Sequence, residues 1–115
     1  MKNFVLFLIS GRDLNPEEIT QNLQIKPNTV RISEYDGTVS WQLNSTLEGR
    51  KEILEHIEDI LKRLYPSRKE IQNISQRFNV QLICNIDTAE TQKLQIPSRY
   101  LVILGSMGVQ LDIYF

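Results

Sequence analysis

Phe4-Val5-Leu6-Phe7-Leu8-Ile9 is the one unbroken run of six strongly apolar residues in this 115-residue chain. A strand sends successive side chains to opposite faces, so Phe4, Leu6 and Leu8 share one side while Val5, Phe7 and Ile9 share the other. Both sides are apolar, which predicts an interior strand covered on both faces rather than an edge strand. Gly11 breaks the run. A secretory leader needs about 7–15 apolar residues before a small-residue cleavage site, and here Arg12, Asp13 and Glu17 follow the run almost at once. No stretch approaches the ~20 apolar residues of a membrane span. The expectation is a cytoplasmic protein with no membrane association. The single cysteine, Cys84, agrees with a reducing compartment because it cannot close an internal disulfide.

The rest of the chain supplies neighbours for that strand. Asn15-Pro16-Glu17-Glu18 has a capping residue, a proline at the first helical position and acids at the positive dipole end, followed by Ile19 and Leu23 on one face. Val30 and Ile32, then Val39, Trp41 and Leu43, alternate with polar residues on either side of Tyr35-Asp36-Gly37, which predicts a β-hairpin. Residues 48–64 read as the long helix, with Ile53, Leu54, Ile57, Ile60, Leu61 and Leu64 as its apolar stripe. Pro66 ends it, and Ser67-Arg68-Lys69-Glu70 reads as a capping box opening another helix. Phe78, Val80, Leu82, Cys84 and Ile86 alternate as a strand, residues 87–95 as a polar loop, and residues 98–107 as a last helix capped by Ser98. Val109, Leu111, Ile113 and Phe115 then alternate as a terminal strand whose place in the sheet stays open. The order predicts one domain over residues 1–115. Its class is α+β: a ferredoxin-like βαββαβ sandwich with an added C-terminal helix and strand, and a mainly antiparallel sheet.

Chemistry is sparse. A net charge of -1 and a pI near 5.8 argue against a nucleic-acid partner, which needs a basic face. His56, the one histidine, falls among Glu52, Glu55 and Asp59 on the polar side of the long helix, and reads as a solvated residue; a metal site there would need three or four converging ligands. No catalytic residue, metal or cofactor is assigned. Cys84 reads as an inert core thiol. The spacing of Gly105-Ser106-Met107-Gly108 resembles an RNA-clamping loop, but its helix-to-strand setting predicts a helix exit. Lys62, Arg63, Arg68 and Lys69 flank Tyr65-Pro66 as a local basic spot, open to an acidic partner. Trp41 reads as core, with a ligand-stacking platform as the alternative. Trp41, Asp112 and Tyr114 are the residues of a candidate binding surface.

Leu8-Ile9-Ser10-Gly11-Arg12-Asp13-Leu14-Asn15-Pro16-Glu17-Glu18-Ile19-Thr20, followed by Leu23-Gln24-Ile25-Lys26-Pro27, resembles the opening of the bacterial domain-of-unknown-function family 4279. Trp41 after the hairpin, Leu54 and Leu61 in the long helix, and Leu104-Gly105 with Leu111-Asp112-Ile113-Tyr114 extend the resemblance over nearly the whole chain. Asn28-Thr29 stands where a glycine is expected after Pro27. The resemblance implies a small stand-alone bacterial protein with no catalytic residues to carry over. By analogy it implies a partner-binding or immunity role. The leading expectation is therefore a non-enzymatic protein-binding module. The alternative is a small-ligand sensor or enzyme with a pocket at the sheet face. Neither face of the first strand is made for solvent. The second face therefore predicts a cover, either the terminal helix or a second copy of the chain in a homodimer.

Overall fold

Pairing with strands on both sides places the apolar run at the centre of the sheet. The computed structural model describes residues 2–89 and 93–115. In it β1 (Phe4–Gly11) lies between β3 (Val39–Asn44) and β4 (Asn79–Asn85), antiparallel to both. β2 (Thr29–Ile32) pairs antiparallel with β3, and β5 (Gln110–Tyr114) pairs parallel with the outer side of β4. The result is an α+β protein with a five-stranded, mostly antiparallel sheet in the order β2-β3-β1-β4-β5. The position of β5 is thereby fixed at the edge.

Among the described residues the α-helices are α1 (Pro16–Leu23), α2 (Ile53–Leu64), α3 (Arg68–Ser75) and α4 (Ser98–Ser106). Register shows which sheet face they cover. Ile9 is level with Trp41 and Val80, and Phe7 with Leu43 and Leu82; all six are buried. They share one core with Ile19 and Leu23 of α1, Ile57, Ile60 and Leu64 of α2, Ile71 and Ile74 of α3, and Tyr100 and Leu104 of α4. Full burial of a side chain such as Phe7 stabilises the fold by about 1.5–3 kcal/mol. Phe7 meets the Trp41 ring edge-on, with centroids 6.3 Å apart and planes at 86°. The Trp41 Nε1–H donates to Thr20 Oγ1 at 3.0 Å, so α1 is tied to β3 by the polar end of the largest core side chain.

Several sequence expectations are corrected. The helices cover one face of β1, not both: Leu6 and Leu8 are half-buried and Phe4 is 37% exposed. The terminal helix does not cover the second face, because α4 packs beside α2, where the Tyr100 hydroxyl donates to Glu58 Oε1. The long helix begins at Ile53 rather than at residue 48. The preceding residues are held as a loop by the N–H of Asn3 on the Gly49 carbonyl (2.8 Å) and by Asn3 Nδ2 on the Lys51 carbonyl (3.0 Å). The Glu52 N–H, just before the helix, donates to the Glu55 carboxylate at 3.0 Å. Ser67 holds the N-cap position of α3 but makes no side-chain capping bond. A 3₁₀ turn at Tyr65–Ser67 feeds α3 directly, with the Arg68 N–H on the Tyr65 carbonyl, so Ser67 Oγ donates instead to the Leu23 carbonyl at 3.0 Å. Ser98 makes no capping bond, and Pro97 holds the N-cap position of α4. The loop expected over residues 87–95 lies partly outside the described residues.

The Asn28-Thr29 departure has a local answer. Gln24 takes the left-handed conformation (φ 55) that closes α1. Asn28 then braces the entry to β2: its N–H donates to the Gln42 carbonyl and its Oδ1 accepts from the Asn44 N–H, both at 2.8 Å.

Candidate functional site

The alternate residues of each strand form the face that no described helix covers. Across it, Asn44, Leu6, Ile83 and Asp112 make one row, and Thr29, Gln42, Leu8, Gln81 and Gln110 make the next. Phe4, Leu6, Leu8 and Ile83 give the face an apolar centre, and amides and hydroxyls flank it on both sides. Only two charged side chains fall among the strand positions of this face. Arg31 is on β2, level with Ser40, and Asp112 is on β5, level with Ile83. The Asp112 carboxylate is held in place by two amides, accepting from Gln81 Nε2 at 2.6 Å and Gln110 Nε2 at 2.9 Å. Tyr114, two residues along the same strand, is 56% exposed.

Of the three residues expected together, Asp112 and Tyr114 lie on the same open sheet face. Trp41 does not: it is fully buried on the opposite face, with its one polar atom engaged by Thr20. A sheet-face pocket built from all three is not assembled, and the core reading of Trp41 stands.

His56 corrects a second expectation. It is 1% exposed, not solvated. Its Nδ1 lies 2.7 Å from Ser45 Oγ, and its buried Nε2 has no hydrogen-bond partner among the described residues. Burial pushes its pKa below the ordinary value, outweighing the nearby backbone carbonyls of Glu48 and Lys51 and the carboxylates of Asp59 and Glu55, so the ring is neutral at pH 7. A hydroxyl–imidazole contact is half of a nucleophile arrangement. Here the ring is closed off from solvent, and Asp59 is turned to Thr46 (2.9 Å from its N–H) and to Arg63 (3.3 Å). Burial opposes the charged form of Asp59, but those donors prevail and its carboxyl sits below the usual range. The cluster thus ties the β3–α2 loop to α2. Among the described residues no three His, Cys, Asp or Glu side chains are grouped as metal ligands.

Cys84 is buried on the covered face, and burial, with the Asp112 charge, pushes its thiol up to about 12, which leaves no reactive thiolate. Of the basic spot, Arg63 is consumed by Asp59 and by the Asn44 carbonyl at 2.9 Å. Gly108 makes the helix exit, with φ of 72 directly after the α4 C-cap Met107. Sequence reasoning missed Ser45 and Asn3. Both act through partners distant along the chain, Asn3 by accepting from the Asp87 N–H at 2.9 Å, and no local pattern signals this.

A family model described as a domain of unknown function, DUF4279, matches residues 1–115, the whole chain. No curated protein and no solved structure matches it. No helix among the described residues is long and apolar enough to cross a membrane.

Proposed function

The chain belongs to the DUF4279 family, and from its geometry we propose that it is a non-enzymatic protein-binding module whose open sheet face receives a partner. The observation that carries this reading is the sidedness of the sheet: every described helix packs on one face, while Phe4, Leu6, Leu8 and Ile83 are left on the other. The antiparallel order β2-β3-β1-β4, with helical crossovers, supports reading the scaffold as a ferredoxin-like βαββαβ sandwich extended by α4 and β5.

The composition of the face favours a second copy of the chain. β1 is the middle strand of five, with two strands on either side. A two-fold axis running along β1 would stack its apolar stripe on itself. The same rotation lays the β2–β3 wing over the partner's β4–β5 wing with rows kept level, so Thr29 and Gln42 meet the partner chain's amides in the Gln81–Gln110 row. An isologous interface needs this kind of self-complementarity. Light scattering at micromolar concentration tests it. The expected mass is about twice the 13.4 kDa of one chain. Leu8→Lys, which puts a charge at the centre of the stripe, is expected to return it to one chain with unchanged circular dichroism. A wild-type mass of 13.4 kDa removes the second copy as the occupant. The open face would then be left to a different protein, as the immunity analogy has it.

A further inference from the structure

The opposite side of the molecule carries a second unfilled surface. α2 ends at Leu64, and the turn that follows brings Tyr65 and Pro66 across from α4. Between them runs a shallow groove of about 420 Å³ lined by Leu61, Pro66 and Ile103, with Tyr65 and Tyr100 among its walls. Each tyrosine carries a stacked guanidinium: Arg68 lies 4.4 Å from the Tyr65 ring centroid and Arg99 lies 4.5 Å from that of Tyr100. Lys62 is the cation among the groove's lining residues, and Arg68 and Arg99 join it through the tyrosines they stack on. The carboxylate among the lining residues, Glu58, accepts from the Tyr100 hydroxyl, and its charge offsets only one of the three cations. A chain of net charge -1 thus concentrates positive charge around an apolar groove.

We propose that this groove is an interaction surface for an acidic segment of a partner protein, one that seats an apolar side chain between Tyr65 and Tyr100 and sets carboxylates against Arg68, Arg99 and Lys62. Charge complementarity selects that occupant. Arg68 spends one N–H on the Tyr65 carbonyl (3.1 Å) and Arg99 one on the Tyr100 hydroxyl (2.9 Å). A guanidinium has five N–H donors in a fixed fork, so each arginine keeps donors for a carboxylate. Stacking on the ring holds the fork in place before a ligand arrives, which lowers the ordering cost of binding. The two forks stand on separate tyrosines rather than converging on one point. That distribution suits a chain bearing several carboxylates better than a single small anion. The surface is distinct from the open sheet face and stands on its own observations.

Two synthetic peptides of equal length test it, both with the same leucines, one carrying glutamates and the other lysines at the remaining positions. Fluorescence anisotropy is expected to show saturable binding of the acidic peptide and none of the basic one, with affinity falling as salt rises. Methyl shifts are expected at Leu61 and Ile103. Arg68 and Arg99 are exposed, so the Arg68→Glu/Arg99→Glu double variant is expected to keep the thermal midpoint while losing about tenfold or more in affinity, as charge-assisted hydrogen bonds are removed. Equal binding of the two peptides overturns the proposal, as does no saturation at millimolar peptide, or shifts confined to Leu6, Leu8 and Ile83. None of those results alters the mass measurement that tests the sheet face.

Discussion

His56 is held as a neutral ring inside the fold, with one nitrogen on Ser45 and the other unpartnered among the described residues. Its pKa in the folded chain lies below the ordinary 6.5 because burial disfavours the imidazolium. The sign of the pH effect follows. As pH falls through 6.5, the unfolded chain takes up a proton before the folded chain does, so stability drops; above 6.5 the contribution is complete. His56→Gln removes this titration. At pH 8 the variant is expected to be less stable than wild type by about 1–3 kcal/mol, the penalty for disturbing a buried hydrogen-bonded group. That difference is expected to shrink toward pH 5. Urea unfolding of both proteins across this range checks it. A difference that does not vary with pH would mean that the ring is not kept neutral in the fold. The helical wheel misplaced His56 because it groups residues by the polarity of their own helix. The side that carries Glu52, Glu55 and Asp59 also meets the β3–α2 loop, and Ser45 on that loop supplies the contact.

At the scale of elements, the junction between α4 and β5 depends on backbone freedom. Gly108 has φ of 72, and a Cβ there would lie 2.2 Å from Ser75 Oγ and 2.7 Å from Ser75 Cβ. Gly37 in the β2–β3 turn has φ of 75 but open space around it. Gly37→Ala is therefore expected to cost only the left-handed backbone penalty, about 1–2 kcal/mol. Gly108→Ala adds a clash with α3 and is expected to cost clearly more, with α3 and β5 losing hydrogen-exchange protection together. Equal costs in chemical denaturation would show that Ser75 yields freely. Element identity was legible where a period was strong: the alternations around Trp41, Leu82 and Leu111 all became strands, and the Ile53–Leu64 stripe became α2. Boundaries were less so. The loop before α2 and the Ser67 turn are set by Asn3 and Leu23, through distant contacts that a local reading cannot weigh. Glu55, by contrast, caps the α2 start from three residues away, a local pattern that was missed. The parallel seat of β5 was not legible either. Alternation identifies a strand without naming its neighbour, and Leu111 and Ile113 fit any edge with a half-covered face.

For the whole molecule, the apolar character of β1 on both sides was legible, but what it meant was not. One side is core, and the other is a stripe in an open face flanked by amides and hydroxyls. If a second copy covers that stripe, folding and assembly are linked, and the folded dimer gains on the unfolded chain by mass action as concentration rises. A hundredfold increase in protein shifts that balance by about 2.7 kcal/mol per dimer, half of it per chain. For a domain of this size each kcal/mol moves the thermal midpoint by about 4 °C or somewhat more. Wild type is accordingly expected to melt about 5 °C higher at 200 μM than at 2 μM (concentrations set roughly to span that factor), while Leu8→Lys melts at one temperature at both. The comparison also separates two roles of Leu8. A residue needed only within its own chain would lower both curves equally and leave wild type independent of concentration. A concentration-dependent midpoint that Leu8→Lys abolishes requires the stripe to be buried between chains.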